Sequence, residues 1–310
     1  MQTGQPVDAG LDYAPCQYPG SRLYFRGPAR ALVPPYVAFL GGTETYGKFI
    51  ERPFPALVEA ATGLACVNLG VVNASLDALS GDQGLQDIAR DAMVRVLQVP
   101  GASMLSNRFY TVHPRRNDRF LRASTVLAAL YPEVDFTEIC FVGHLLSRLW
   151  EISPERFQIL REELQAAWAA RMRGTLADLG PATLLLWFAP QLPSDIPWEE
   201  RPDPLRIEPA FVTRRMVDSL RPLVRAVVMA TPSPRAVARG TAGMVFTPLQ
   251  EGAASALLPP AAHEEAATAI AGALRRPFCG EGQPPPRRHL RDQSLPVSSG
   301  RALNRSATRP

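Results

Sequence analysis

Apolar residues along this chain gather into five short segments, residues 37–40, 65–70, 94–99, 183–189 and 226–230, separated by longer stretches with helical spacing; the second is interrupted by Asn68 and the third by Arg95 and Gln98. The first, fourth and fifth, unbroken by polar residues, predict strands buried on both faces, as in parallel sheets, and the other two have strand character. Between them, Leu85, Ile88, Ala89 and Ala92 recur at i, i+3, i+4 and i+7, one face of a helix over residues 84–93. Helices are also predicted over residues 55–63, 118–130, 153–179, 213–220 and 264–274. The fourth opens on Ser153-Pro154-Glu155, an N-cap serine followed by proline at the first helical position. Strands alternating with helices imply an α/β fold, a three-layer α/β/α sandwich with a mainly parallel sheet.

Organisation follows from where the pattern fails. Residues 1–35 carry aromatic and arginine-bearing segments, Asp12 to Tyr18 and Ser21 to Pro28, and are expected to wrap over a single α/β domain spanning residues 36–279. Residues 193–209 form a proline-broken loop placed to rim a site. Beyond residue 280 the chain is rich in Arg, Pro and Ser with little apolar material, so residues 280–310 are expected to be a disordered tail.

Composition is globular, with 46% hydrophobic and 20% charged residues. The formal net charge of +4 is misleading: eight arginines against Glu281 and Asp292 from Arg275 onward leave the preceding residues slightly acidic. A nucleic-acid partner is therefore not expected. Four widely spaced cysteines and unpaired histidines form no metal-ligand pattern, and no apolar stretch reaches membrane-spanning length. No cofactor and no metal are expected, the location is expected to be cytoplasmic, and the sequence leaves the oligomeric state open.

Candidate chemistry sits at strand ends. The first strand runs into Gly41-Gly42-Thr43-Glu44-Thr45-Tyr46-Gly47, a glycine turn that would present the Thr43 hydroxyl where open α/β sheets bind ligands. The second ends at Gly70, with Asn73 just beyond, and the third is followed by Ser106-Asn107-Arg108. His263 lies in a loop before the last helix. Each residue also has a structural reading, as a turn glycine, a cap or a surface histidine. A basic segment, His113-Pro114-Arg115-Arg116-Asn117-Asp118-Arg119, would set Arg115, Arg119 and Arg122 on one helical face, suited to carboxylate, phosphate or sulfate. Internal pairing with Asp118 or Glu133 is the alternative.

Two resemblances bear on these residues. The strings Ser21 to Pro28, Gly41 to Phe49 and Ser106 to Phe120 resemble an α-proteobacterial family whose domain has no assigned function. More distantly, the order of the strand-end motifs resembles the SGNH (GDSL-type) hydrolases, a flavodoxin-like sandwich. That resemblance implies an ester or acyl hydrolase of a small-molecule or saccharide substrate. It puts Thr43 at the nucleophile, Gly70 and Asn107 at oxyanion donors and His263 at the general base. Gly42 replaces that family's aspartate beside the nucleophile, and Pro260 stands where its triad acid belongs. Glu264 or Glu265 are the nearby substitutes. Glu44, Asn73, Arg108, His113, Arg115, Arg116 and Arg119 are the expected ligand contacts. Two further readings stay open: a catalytically lapsed domain binding an anionic sugar or acylated ligand, and a group-transfer enzyme using a sulfated or phosphorylated donor.

Overall fold

Each of the five apolar runs forms a strand in the computed structural model, which describes residues 10–201 and 204–276. In chain order the elements are β1 (Tyr36–Gly41), α1 (Thr43–Tyr46), α2 (Phe54–Thr62), β2 (Ala65–Gly70), α3 (Leu76–Ser80), α4 (Gln83–Asp91) and β3 (Val94–Gln98). A hairpin of β4 (Tyr110–His113) and β5 (Arg116–Ala123) follows, then α5 (Thr125–Leu130), α6 (Val142–Ile152), α7 (Pro154–Leu179) and β6 (Thr183–Trp187). The remainder is α8 (Arg214–Asp218), β7 (Ala226–Met229), α9 (Pro234–Val237), α10 (Glu251–Ser255) and α11 (Pro260–Arg275).

The main sheet is wholly parallel, in the order β2-β1-β3-β6-β7. Counted by strand within this sheet, that is the 2-1-3-4-5 order of doubly wound flavodoxin-like folds, and the direction of winding reverses between β1 and β3. The two faces separate by strand alternation. Val37, Phe39, Val94, Val96, Leu184 and Leu186 point to a core closed by Phe54 and Val58 of α2 and Ala262, Ala266 and Ile270 of α11. Ala38, Leu40, Leu97, Leu185 and Trp187 point to the opposite core, with Leu85 and Ile88 of α4 and Leu160, Leu164, Trp168 and Leu176 of α7. The three-layer sandwich expected from the sequence is the fold observed.

Local chemistry sets the helix starts. The Ser153 hydroxyl accepts the Arg156 N–H ahead of Pro154, and Asp82 accepts the Leu85 N–H at the start of α4. Asp82 also accepts the Arg22 N–H at 2.7 Å, tying the segment before β1 to the start of α4. In that segment Tyr18, Leu23 and Phe25 are buried, and the Arg26 guanidinium donates to the carbonyls of Gly47, Ile50 and Glu51 at 2.7, 2.7 and 2.8 Å.

Two expectations fail. His263, expected in a loop before the last helix, lies in the first turn of α11, which begins at Pro260. The helix predicted over residues 118–130 is instead β5 followed by the short α5, so Arg115, Arg119 and Arg122 share no helical face. Asn117 is fully buried: its Oδ1 accepts the N–H groups of Ser75 and Ala78 at 2.6 and 3.2 Å, and its Nδ2 donates to the His113 carbonyl at 3.0 Å. The strand exists because it satisfies the start of α3, a long-range requirement that helical spacing does not express. The chain divides into Met1–Pro277 and Phe278–Pro310. The second unit, with the expected tail over residues 280–310, lies outside the described residues.

Candidate active site at the sheet switch point

A cavity of about 420 Å³ opens at the carboxyl ends of β1, β3 and β6. Its walls include Thr43 and Glu44 after β1, Gln98 and Gly101 at the end of β3, Phe188 after β6, and Glu208 from the proline-rich loop. In a sheet of this order the crevice outside the strand ends at the reversal point is where ligands bind.

The glycine turn is required by packing. A Cβ on Gly41 would stand 2.1 Å from Thr45 Oγ1 and 2.8 Å from Gln98 Oε1. Only a bare α-carbon lets the Thr45 hydroxyl and backbone N–H both donate to Gln98 Oε1 across the end of β1. That pairing fixes the Gln98 amide and leaves its Nε2 at the cavity wall without a hydrogen-bond partner among the described residues. Thr43 Oγ1 accepts the Asn73 N–H at 3.0 Å and lies 3.5 Å from Asn73 Oδ1. Asn73 holds a left-handed backbone conformation, φ 58°, which asparagine tolerates.

Glu44 is the best-anchored group in the wall. Its Oε1 accepts the Leu258 N–H at 3.0 Å, and its Oε2 lies 3.6 Å from Nε2 of His263. His263 is fully buried, with its ring stacked on Phe54 at 5.6 Å and edge-on to Phe188 at 5.1 Å. Its Nδ1 accepts the Phe54 N–H at 3.2 Å, so the neutral ring carries its proton on Nε2, facing the Glu44 carboxylate. Glu208 stands across the cavity with part of its surface exposed to solvent. Crowding by protein raises the pKa of its carboxyl group, opposed by the Ala210 N–H that it accepts at 3.0 Å.

The structure brings Thr43, Glu44 and Asn73 together and seats His263 behind Glu44. Several sequence-based roles change. His263 does not face Thr43 as a base, because one ring nitrogen is held by Phe54 and the other is turned to Glu44. Gly70 is not a free oxyanion donor: its N–H donates to Asn68 Oδ1 at 2.9 Å, and its α-carbon is pressed against α1, where a Cβ would stand 2.3 Å from Tyr46 N. Asn107 is fully engaged in its own turn, with Oδ1 accepting from Phe109 and Tyr110 and Nδ2 donating to Leu105. Arg108 pairs with Glu163 at 3.5 Å, and Arg119 lies 4.2 Å from the ring centre of Phe141. Neither lines the cavity.

Gln98 and Glu208 were missed. A polar residue closing an apolar strand is the signal that could have found Gln98, and the rim loop is the one that could have found Glu208.

His113, Arg115 and Arg116 line a different cleft, of about 780 Å³, together with Asn73. The two spaces meet at the Thr43–Asn73 hydrogen bond, Thr43 lining one and Asn73 the other. Among the described residues no three His, Cys, Asp or Glu side chains gather to hold a metal ion, and no helix is long and apolar enough to cross a membrane.

Fold and site together define a doubly wound α/β/α protein with a largely apolar cavity at its switch point, into which a few polar groups are set. A family model described as a domain of unknown function (DUF6473) matches residues 1–278, and the chain belongs to that family. No curated protein matches it. Among solved structures it is similar to the lipase Lip_vut3 from goat rumen metagenome, with 12% identity over 77% of this chain and 97% of that chain, and a TM-score of 0.38. At that distance the site has to be read from its own residues.

Proposed function

We propose that the switch-point cavity hydrolyses an ester or similar acyl bond, in the manner of an SGNH-like hydrolase, with Thr43 supplying the attacking hydroxyl. Glu44 accepts the proton of that hydroxyl, and His263, sequence-expected as the direct base, acts through Glu44 by holding and polarising its carboxylate. In the first step Thr43 Oγ1 bonds to the acyl carbon, the bond to the leaving oxygen breaks, and the proton taken by Glu44 passes to that oxygen. Water then attacks the acyl-threonine, giving the acid and regenerating the hydroxyl. Gln98 Nε2 is the donor available to the developing oxyanion.

The observation that carries this reading is the Glu44 carboxylate in the cavity wall, backed by a fully buried histidine whose Nε2 has no other partner. A buried ring placed only for packing would not need its second nitrogen directed at a carboxylate of the cavity wall.

The experiment is turnover of short p-nitrophenyl esters. Glu44→Gln is expected to lower kcat by roughly 10²–10⁴-fold, the range for a positioned general base. Unchanged kcat in that variant would remove Glu44 from the reaction.

One observation favours the binding-only alternative: the Asn73 N–H already donates to Thr43 Oγ1. That alternative predicts ligand-induced stabilisation with no turnover above the Thr43→Ala background.

A further inference from the structure

The larger cleft beside the cavity is built from three separate parts of the chain. Arg22 and Tyr24 come from the segment that precedes β1, Tyr46 from the end of α1 and Lys48 from the turn after it, and His113 and Arg115 from the β4–β5 hairpin. Among the described residues Arg22, Lys48 and Arg115 have no acidic partner. The ammonium of Lys48, the only lysine of the chain, lies 4.9 Å from the centre of the Phe49 ring. Arg116 is different, since it pairs with Asp118 at 3.4 Å.

The histidine adds a further donor. His113 Nδ1 accepts the N–H groups of Arg115 and Arg116, both at 3.2 Å, so the neutral ring carries its proton on Nε2. The pattern is three unpaired cations and a fixed N–H donor at one cleft, with no carboxylate among its lining residues and Asp118, the partner of Arg116, also accepting from Asn73.

We infer that this cleft binds a phosphate or sulfate ester group carried on a compact organic moiety. Cations reaching in from three elements suit a tetrahedral anion, whose oxygens accept from several directions; a planar carboxylate is matched by a single guanidinium fork. The cleft is far larger than the anion itself. Tyr24 borders it with 65% of its surface exposed, and Tyr46 borders it too, giving the attached group aromatic surface to lie against. The site deepens the hydrolase reading by placing a charged group next to Thr43 through Asn73, so the favoured ester would bear that anion. The binding itself rests on the cleft and not on catalysis.

The test is isothermal titration calorimetry of the full chain at low ionic strength with phenyl phosphate, phenyl sulfate, benzoate and phenol. The expected result is saturable binding of phenyl phosphate or phenyl sulfate at least about tenfold tighter than benzoate, with none for phenol. The Arg22→Gln/Arg115→Gln double variant should weaken that binding by about 100-fold, on the basis of roughly tenfold per charge-assisted contact. Both arginines are exposed and without an acidic partner, so the variant should keep the wild-type melting temperature, and Lys48→Gln gives an independent second reading.

Co-sedimentation with phosphatidylcholine vesicles containing phosphatidic acid separates the sources. Sedimentation that phenyl phosphate displaces assigns the group to a lipid headgroup; phenyl phosphate binding without sedimentation assigns it to a soluble ester. Equal affinity for benzoate, absence of saturable binding, or an unchanged double variant would overturn the inference. The probes contain no acyl bond, so an inactive hydrolase site leaves this result standing, and a failed titration leaves the esterase measurement untouched.

Discussion

Replacing Gly70 by alanine separates close packing from oxyanion binding at the end of β2. An added Cβ would lie 2.3 Å from Tyr46 N, 2.6 Å from Thr45 C and 2.8 Å from Tyr46 Cα. All three are backbone atoms of α1, which cannot rotate away as a side-chain tip can. Overpacking that side chains can absorb costs about 1–3 kcal/mol, and a wholly backbone clash should reach the upper end, about 3 kcal/mol. At roughly 2–4 °C per kcal/mol for a large domain, the melting temperature should fall by about 6 °C or more. The assay is thermal unfolding followed by circular dichroism, with esterase rate measured at a temperature where the variant is fully folded. Alanine keeps the backbone N–H, so a glycine that only donates to an anion would tolerate the change. A melting temperature within about 1 °C of wild type would refute the seating of α1 on β2.

Other outcomes follow from single contacts. Asn117→Ala strands two buried N–H donors at the start of α3 and one carbonyl, so a loss of about 2–5 kcal/mol is expected, read as a lower urea midpoint with unchanged slope. Burial pushes the Cys66 thiol up to about 12 from an ordinary 9.0, whereas Cys140 is exposed. Iodoacetamide at mildly alkaline pH should therefore modify Cys140 in the native protein and Cys66 only after unfolding, as read by peptide mass mapping. With its pKa raised in the folded state, Cys66 favours folding fully below pH 9 and loses that contribution as pH rises towards 12. Arg26→Ala removes the donor shared by the Gly47, Ile50 and Glu51 carbonyls, and hydrogen exchange should accelerate over residues 47–51 without a matching change in β3 or β6.

The parts of the fold that could be read from the sequence are those governed by local burial. β1, β6 and β7 show as unbroken apolar runs, as expected in a parallel sheet covered on both faces, whereas β2 and β3 are interrupted by Asn68 and by Arg95 and Gln98 and were visible from the apolar residues around them. The hairpin was not: β5 is rich in charge, and what makes it a strand is pairing with β4 and the hydrogen bonds of Asn117 to residues about forty positions away. In the site, the glycine turn marked Thr43 and Glu44 because a strand end that must approach Thr45 and Gln98 closely leaves a local signature. His263 was legible as a residue but not as a partner of Glu44, since the pairing is set by the docking of α11 on α2 and not by any spacing. Glu208 carries no signal beyond its place in a proline-broken loop. The basic segment was legible as charge, while its geometry was not, because Arg115 in the hairpin turn and Arg119 in β5 meet different surroundings.

The central claim is that the Thr43 hydroxyl attacks an acyl carbon in the switch-point cavity. Rapid acid quench during p-nitrophenyl acetate turnover, followed by peptide mass mapping, tests it most directly. The account predicts an acetyl adduct on Thr43 that forms within the burst of p-nitrophenol release, is retained in Thr43→Ser on the new hydroxyl, and is absent in Thr43→Ala. Turnover at equal rates in wild type and Thr43→Ala, with no adduct on residue 43, would contradict it.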